Sequence, residues 1–224
     1  MTAATMAKNI RGAIFDLDGT LLDSLADIAA AMNAALRSLG FAEHQLSAYR
    51  YFVGDGVEYL AERALPPDRR DAETKQRCIA AMRNFYAERW GDTTVPYPGI
   101  LDLLKELTNR GIEMAVLSNK PDDFTRQMVA KLLPQAPFKV VRGARPDTPK
   151  KPHPAAALAI AQTLGIASSE FVYLGDTGTD MLTAIAAGMQ AVGVLWGFRP
   201  AEELLANGAR ALVAKPSDVL ALFP

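Results

Sequence analysis

The sequence predicts an α/β fold: a Rossmann-like core on a parallel sheet, with an all-helical cap inserted into it. Three observations carry that reading. A short apolar run, "AIF" at residues 13–15, opens the chain as a strand entering a core. Beyond residue 99, further apolar runs alternate with helical stretches, the pattern of right-handed βαβ units. Between these parts, residues 21–93 carry helical periodicity without β-branched alternation.

Taken in order, the opening strand ends in Asp16 and Asp18, whose i, i+2 spacing points both carboxylates to one side. Ser24 can cap a helix running to about Leu39, with Asp27 favourable in its first turn and Gly40 as its stop. "GVEYLAERAL" (56–65) and "DRRDAETKQRCIAAMRNFYAERW" (68–90) read as helices broken apart by Pro66 and Pro67. "GDTTVPYPG" (91–99) is rich in turn residues and reads as a linker.

The core then resumes. "ILDLLKELTNRG" is an amphipathic helix ending at Gly111, and "IEMAVLSN" is a buried strand. A helix from about Asp122 to Leu133 leads to a short strand, "FKVV". "PAAALAIAQTLG" is a helix before the strand "FVYLGD", and a helix over 179–187 precedes the strand "AVGVLW". The expected division is a core of residues 1–20 and 94–224 with a cap of 21–93. An insertion at the carboxyl end of a parallel strand sits where open α/β sheets bind ligands, so the cap can act as a lid.

Composition excludes several classes of function. With 24 basic and 25 acidic residues, the chain has no electrostatic footprint for nucleic acid or a membrane surface. The single cysteine, Cys78, permits no internal disulfide and fits a reducing cytosol. The opening residues lack a basic segment followed by an apolar one. Two long uncharged stretches, 152–169 and 181–198, are interrupted by proline, glycine or glutamine and do not read as membrane spans. The expectation is a soluble cytoplasmic protein, monomeric or homodimeric.

Several strands end in reactive residues, which a parallel sheet gathers along one edge. They are Asp16, Asp18, Gly19 and Thr20; Ser118, Asn119 and Lys120; and Asp176 with Asp180 four residues on. "KKPHP" (150–154) supplies further lysines before a helix. A strand-end aspartate taken alone is a turn or cap residue. Together, clustered carboxylates need a cation, and oxygen-only ligands favour Mg²⁺. Two histidines and one cysteine leave little with which to build a zinc site.

The combination resembles the haloacid dehalogenase superfamily, whose four motifs match in order. Asp16-x-Asp18-Gly19-Thr20 is similar to the first, Ser118 to the second, Lys151 to the third, and Gly175-Asp176-x-x-x-Asp180 to the fourth. The resemblance implies that Asp16 attacks phosphorus to form an aspartyl-phosphate, and that Asp18 is the general acid and base. It implies Mg²⁺ held by Asp16, Asp176 and the Asp18 backbone carbonyl, with Asp180 a ligand or a partner of Lys151. Thr20, Ser118 and Lys151 would bind the phosphoryl oxygens. The family's Lys-Pro pattern selects Lys151 over Lys150, with Lys120 as another candidate.

An acid at Asp18 favours phosphatase over dehalogenase chemistry. The cap's lone lysine, Lys75, lies in a charged helix, which disfavours the phosphonatase branch that uses a cap lysine. Within the cap, residues 49–65 resemble a segment of phosphoglycolate phosphatases. Gly54 and Gly56 there offer backbone N–H groups to a small carboxylate, and Arg50 a guanidinium. Asp55 stands where that subfamily usually has asparagine. The expected ligand is a small phosphorylated metabolite, 2-phosphoglycolate first, with phosphosugars as alternatives. A phosphomutase and a phosphoaspartate signalling domain are the competing classes.

Overall fold

The computed structural model describes residues 9–223. The chain enters through β1 (Gly12–Phe15) and a two-residue β2 (Leu22–Asp23), then forms α1 (Leu25–Ser38), α2 (Leu46–Phe52), α3 (Val57–Ala64) and α4 (Ala72–Arg89). It returns through β3 (Val95–Pro96) into α5 (Ile100–Asn109), β4 (Glu113–Pro121), α6 (Asp122–Leu132) and β5 (Val140–Ala144). The last part comprises α7 (Ala155–Leu164), β6 (Phe171–Gly175), α8 (Gly178–Ala186), β7 (Gln190–Val194), α9 (Ala201–Ala206) and β8 (Ala211–Val213).

Six strands form one sheet in the order β5-β4-β1-β6-β7-β8, and every pairing within it is parallel. Helices on both faces leave no wet side, so β1, β6 and β7 are buried throughout, and apart from Gln190 at the start of β7 they carry no amide or charged side chain. Ala13 and Phe15 join one apolar cluster and Ile14 the other, as the alternation of a strand requires. Phe15 is in register with Val116 on β4 and Leu174 on β6. The residues that follow all three strands therefore leave the sheet side by side at one edge. No described helix is long and apolar enough to cross a membrane.

In the helical insertion, α1 packs along α4, bringing Cys78 Sγ to 3.5 Å from Met32 Sδ in a buried apolar seam. Cys78 is thus a core filler. The two crossings between insertion and sheet are tied together. Leu22 pairs with Pro96 and Asp23 with Val95 in an antiparallel ribbon. Beside it, the Asp27 carboxylate accepts hydrogen bonds from the N–H and hydroxyl groups of both Thr93 and Thr94, at 2.6 to 3.2 Å.

Several local expectations are corrected. Residues 91–99 are not a bare linker, because β3 and the two threonines anchor them. Ser24 occupies the N-cap position of α1 but makes no side-chain cap; its hydroxyl goes to Asp18 Oδ1 at 2.6 Å, a charged and stronger acceptor. The strand expected at "FKVV" begins later, at Val140. The strand β8, "ALV", is too short to give a period in the sequence.

Candidate active site

β1 hands its chain to a turn in which Gly19 has φ +86°. A Cβ at Gly19 would lie 2.3 Å from Asp176 Oδ2, and one at Gly197 would lie 2.2 Å from Asp176 Cβ. Those two glycines let the first turn and the loop after β7 close on Asp176, which is fully buried. Asp176 Oδ2 accepts the Phe198 N–H at 2.8 Å and Oδ1 the Thr20 hydroxyl at 3.2 Å. The Thr20 hydroxyl thus helps to hold this carboxylate in place.

Asp16, Asp176 and Asp180 come together so that one oxygen of each lies within 4.8 Å of the others. Lys151, itself buried, reaches Asp180 Oδ1 at 2.6 Å and lies 2.9 Å from Asp16 Oδ1. Its hydrogen bond goes to Asp180, and the same ammonium forms an ion pair with Asp16 Oδ1. Asp180 Oδ2 meanwhile accepts the Thr177 hydroxyl at 2.7 Å, closing the first turn of α8. Lys150, the neighbouring candidate, points to Glu58 of α3.

Burial pushes Asp16 up to about 7 although the Lys151 charge opposes it, with Asp180 adding repulsion. Burial, together with the charges of Asp180 and Asp16, also raises Asp176 well above the ordinary carboxylate range. Lys151 is held charged despite burial by Asp16 and Asp180. Three buried carboxylates against one ammonium form an all-oxygen donor set short of positive charge. That is the chemistry a hard divalent cation satisfies, so the residues fit a bound metal.

The Asp18 side chain stands apart from this cluster. Lys120 Nζ lies 3.1 and 3.0 Å from its two oxygens, with Ser24 on Oδ1. Lys120 also sits 4.6 Å over the ring of Tyr86, on α4. Sequence reasoning gave Lys120 only as an alternative to Lys151; the structure places both lysines at the site, on different aspartates.

A cavity of about 90 Å³ separates the helical insertion from the sheet edge, lined among others by Asp16, Asp18, Ser118, Asn119, Gly54 and Gly56. Asn119, near the end of β4, donates its amide to Gly54 O at 3.2 Å and Lys151 O at 3.1 Å, and accepts from the Lys151 N–H at 2.9 Å. It clasps the loop of Gly54 to the loop of the lysine. Arg50 does not line the cavity; its guanidinium donates to Gly197 O at 2.8 Å. Asp55 also faces away, accepting from Thr179 at 2.6 Å and pairing with Arg63. Burial raises Asp55, but those hydrogen bonds and the Arg63 charge outweigh it and hold the carboxyl low. His44 bonds Ala64 O at 2.7 Å within an aromatic group, and His153 Nδ1 accepts from Ala155 N. Both histidines are structural.

This arrangement of aspartates, lysine and inserted helices agrees with comparison to known proteins. The family model described as haloacid dehalogenase-like hydrolase matches residues 13–194. A phosphoglycolate phosphatase of Pseudomonas putida is 35% identical over 215 residues, covering 94% of this chain and 78% of its own. One from Pectobacterium atrosepticum is 31% identical over 220 residues, covering 96% and 92%. A solved structure from Lactobacillus delbrueckii superposes with a TM-score of 0.89 at 29% identity, over 94% of this chain and 97% of the other. The chain belongs to the haloacid dehalogenase-like hydrolases. Within that family it is a phosphatase.

Proposed function

We propose that this phosphatase is a Mg²⁺-dependent phosphate monoester hydrolase working through an aspartyl-phosphate, and that its substrate is 2-phosphoglycolate. The observation that carries the mechanism is Asp16 lining the cavity at one corner of a buried three-carboxylate cluster that a single ammonium leaves short of positive charge. Asp16, Asp176 and the Asp18 carbonyl would hold the cation, whose charge lets a carboxylate approach an anionic phosphate.

In this reading Asp16 bonds to phosphorus as the ester oxygen departs. Asp18, reached by Ser24 and Lys120 but outside the metal cluster, gives its proton to that oxygen and later takes one from the attacking water. Ser118 and Lys151 bind the phosphoryl oxygens, with Asp180 orienting the lysine. Thr20 and Phe198 N position Asp176. Gly54 and Gly56, at φ +126° and +98°, present the cap backbone to the leaving group. The relatives named phosphoglycolate phosphatase support the substrate, as does a cavity suited to a leaving group of few atoms.

The test is phosphate release from a panel of small phosphorylated metabolites, with and without Mg²⁺. Release from 2-phosphoglycolate should exceed that from phosphosugars and should vanish with chelator. A preference for a phosphosugar contradicts the substrate, and a rate indifferent to chelator contradicts the metal.

A further inference from the structure

The cavity between the inserted helices and the sheet edge has an unequal lining. Val53, Leu60, Ile79, Met82 and Phe124 make much of its wall apolar. Two cations line it, Arg83 and Lys120. Arg83 is half-exposed, lies 5.1 Å over the Phe124 ring and is paired with Asp123 on the outer side. Lys120 is buried, 7% exposed at its side chain, and faces the same space as the nucleophile. Its ammonium is shared between Asp18 and the Tyr86 ring, and the Asp18 charge keeps it protonated against the cost of burial.

In the proposed mechanism Lys151 and the cation of the carboxylate cluster would meet the phosphoryl group, so Lys120, paired here with Asp18, is the buried cation left facing the rest of the ester. A mostly apolar wall makes a buried cation such as Lys120 strongly selective, since an anion beside it has few other partners and little water. A neutral sugar ring, in contrast, would leave its hydroxyls against Val53, Leu60 and Met82 unpaired.

We propose that Lys120 is a specificity-determining residue that binds the carboxylate of a short phosphorylated hydroxy acid, exchanging its contact with Asp18 for the substrate's carboxylate. The inference rests on the phosphatase reading and deepens it, giving the second anionic group of the substrate a named partner. Asp18 keeps the Ser24 hydroxyl when Lys120 turns to the substrate. The Tyr86 ring faces the Lys120 ammonium from the cap side.

The experiment compares two substrates that differ only in this charge: 2-phosphoglycolate and its neutral amide, each assayed with Mg²⁺. Wild type should favour the acid roughly 10- to 100-fold in kcat/KM, the range expected of a hydrogen bond between charged groups. Lys120→Met should collapse that ratio toward one, mainly through KM for the acid, and Lys120→Arg should restore part of it. Equal rates on acid and amide by wild type overturn the inference even if the variants do not fold. Equal fractional losses on both substrates in Lys120→Met also overturn it, and assign the lysine to holding Asp18 alone. Failure to hydrolyse 2-phosphoglycolate, with release from other esters, overturns the proposed substrate and this inference together.

Discussion

At the scale of single residues, the site depends on how closely backbone is allowed to approach Asp176. The missing Cβ atoms of Gly19 and Gly197 leave room for the carboxylate, and Thr20 and the Phe198 N–H fix its two oxygens. Gly197→Ala would set a methyl 2.2 Å from Asp176 Cβ and 2.5 Å from Gly19 O. Neither neighbour is a flexible chain end, so overpacking should destabilise the fold by about 1–3 kcal/mol, measured by urea unfolding. Phosphatase activity should fall further than the folded fraction, because Asp176 is displaced. Full activity and unchanged stability would mean that the loop after β7 yields freely. Asp16, Asp18 and Asp176 were legible in the sequence because they sit at strand ends close to glycine, and Lys151 because a proline follows it in the loop before α7. Gly197 and the clasp made by Asn119 were not, since their partners, Asp176 for the one and Gly54 and Lys151 for the other, lie far away in the chain. Nor did any spacing tell that Lys120 would face Asp18.

At the scale of elements, the two crossings into and out of the helical insertion meet at α1, where Asp27 accepts from Thr93 and Thr94. Burial raises the Asp27 carboxyl, but the four N–H and hydroxyl donors of Thr93 and Thr94 prevail and lower it below its ordinary 3.8. The sign follows directly: the contribution is present above the unfolded value and is lost as pH falls through the lower folded value. Asp27→Asn should therefore cost about 1.5–3 kcal/mol at neutral pH. The gap between variant and wild type should narrow below about pH 4, read from urea midpoints across pH. A gap independent of pH would show that the hydrogen bonds do not prefer the charged carboxylate. The strands and long helices were legible because burial on both faces and amphipathic spacing leave plain patterns. The β2–β3 ribbon was hidden: two residues have no period, and Pro96 reads as a breaker although it sits at an edge where no N–H is needed.

Over the whole molecule, the central position of β1 between β4 and β6 makes three strand ends neighbours, and the insertion folds back over them. The loop of Gly54 meets Asn119, Asp55 meets Thr179, Glu58 meets Lys150, and Arg199 donates to Val53 O at 2.9 Å. Among those links the Asp55 charge is directed to Arg63 and Thr179, away from the cavity. The fold class followed from the order of apolar and helical segments. The closure of the insertion on the sheet did not, because it depends on side-chain contacts between distant loops. The account stands on covalent transfer of phosphate to Asp16. Its most direct test is acid-quenched mass spectrometry of Asp18→Asn after exposure to Mg²⁺ and 2-phosphoglycolate, with peptide mapping. Slowed breakdown should leave one phosphoryl group on Asp16, absent when Asp16→Asn is added to the variant. A phosphoryl group on another residue, or turnover at the wild-type rate with none trapped, would contradict the account.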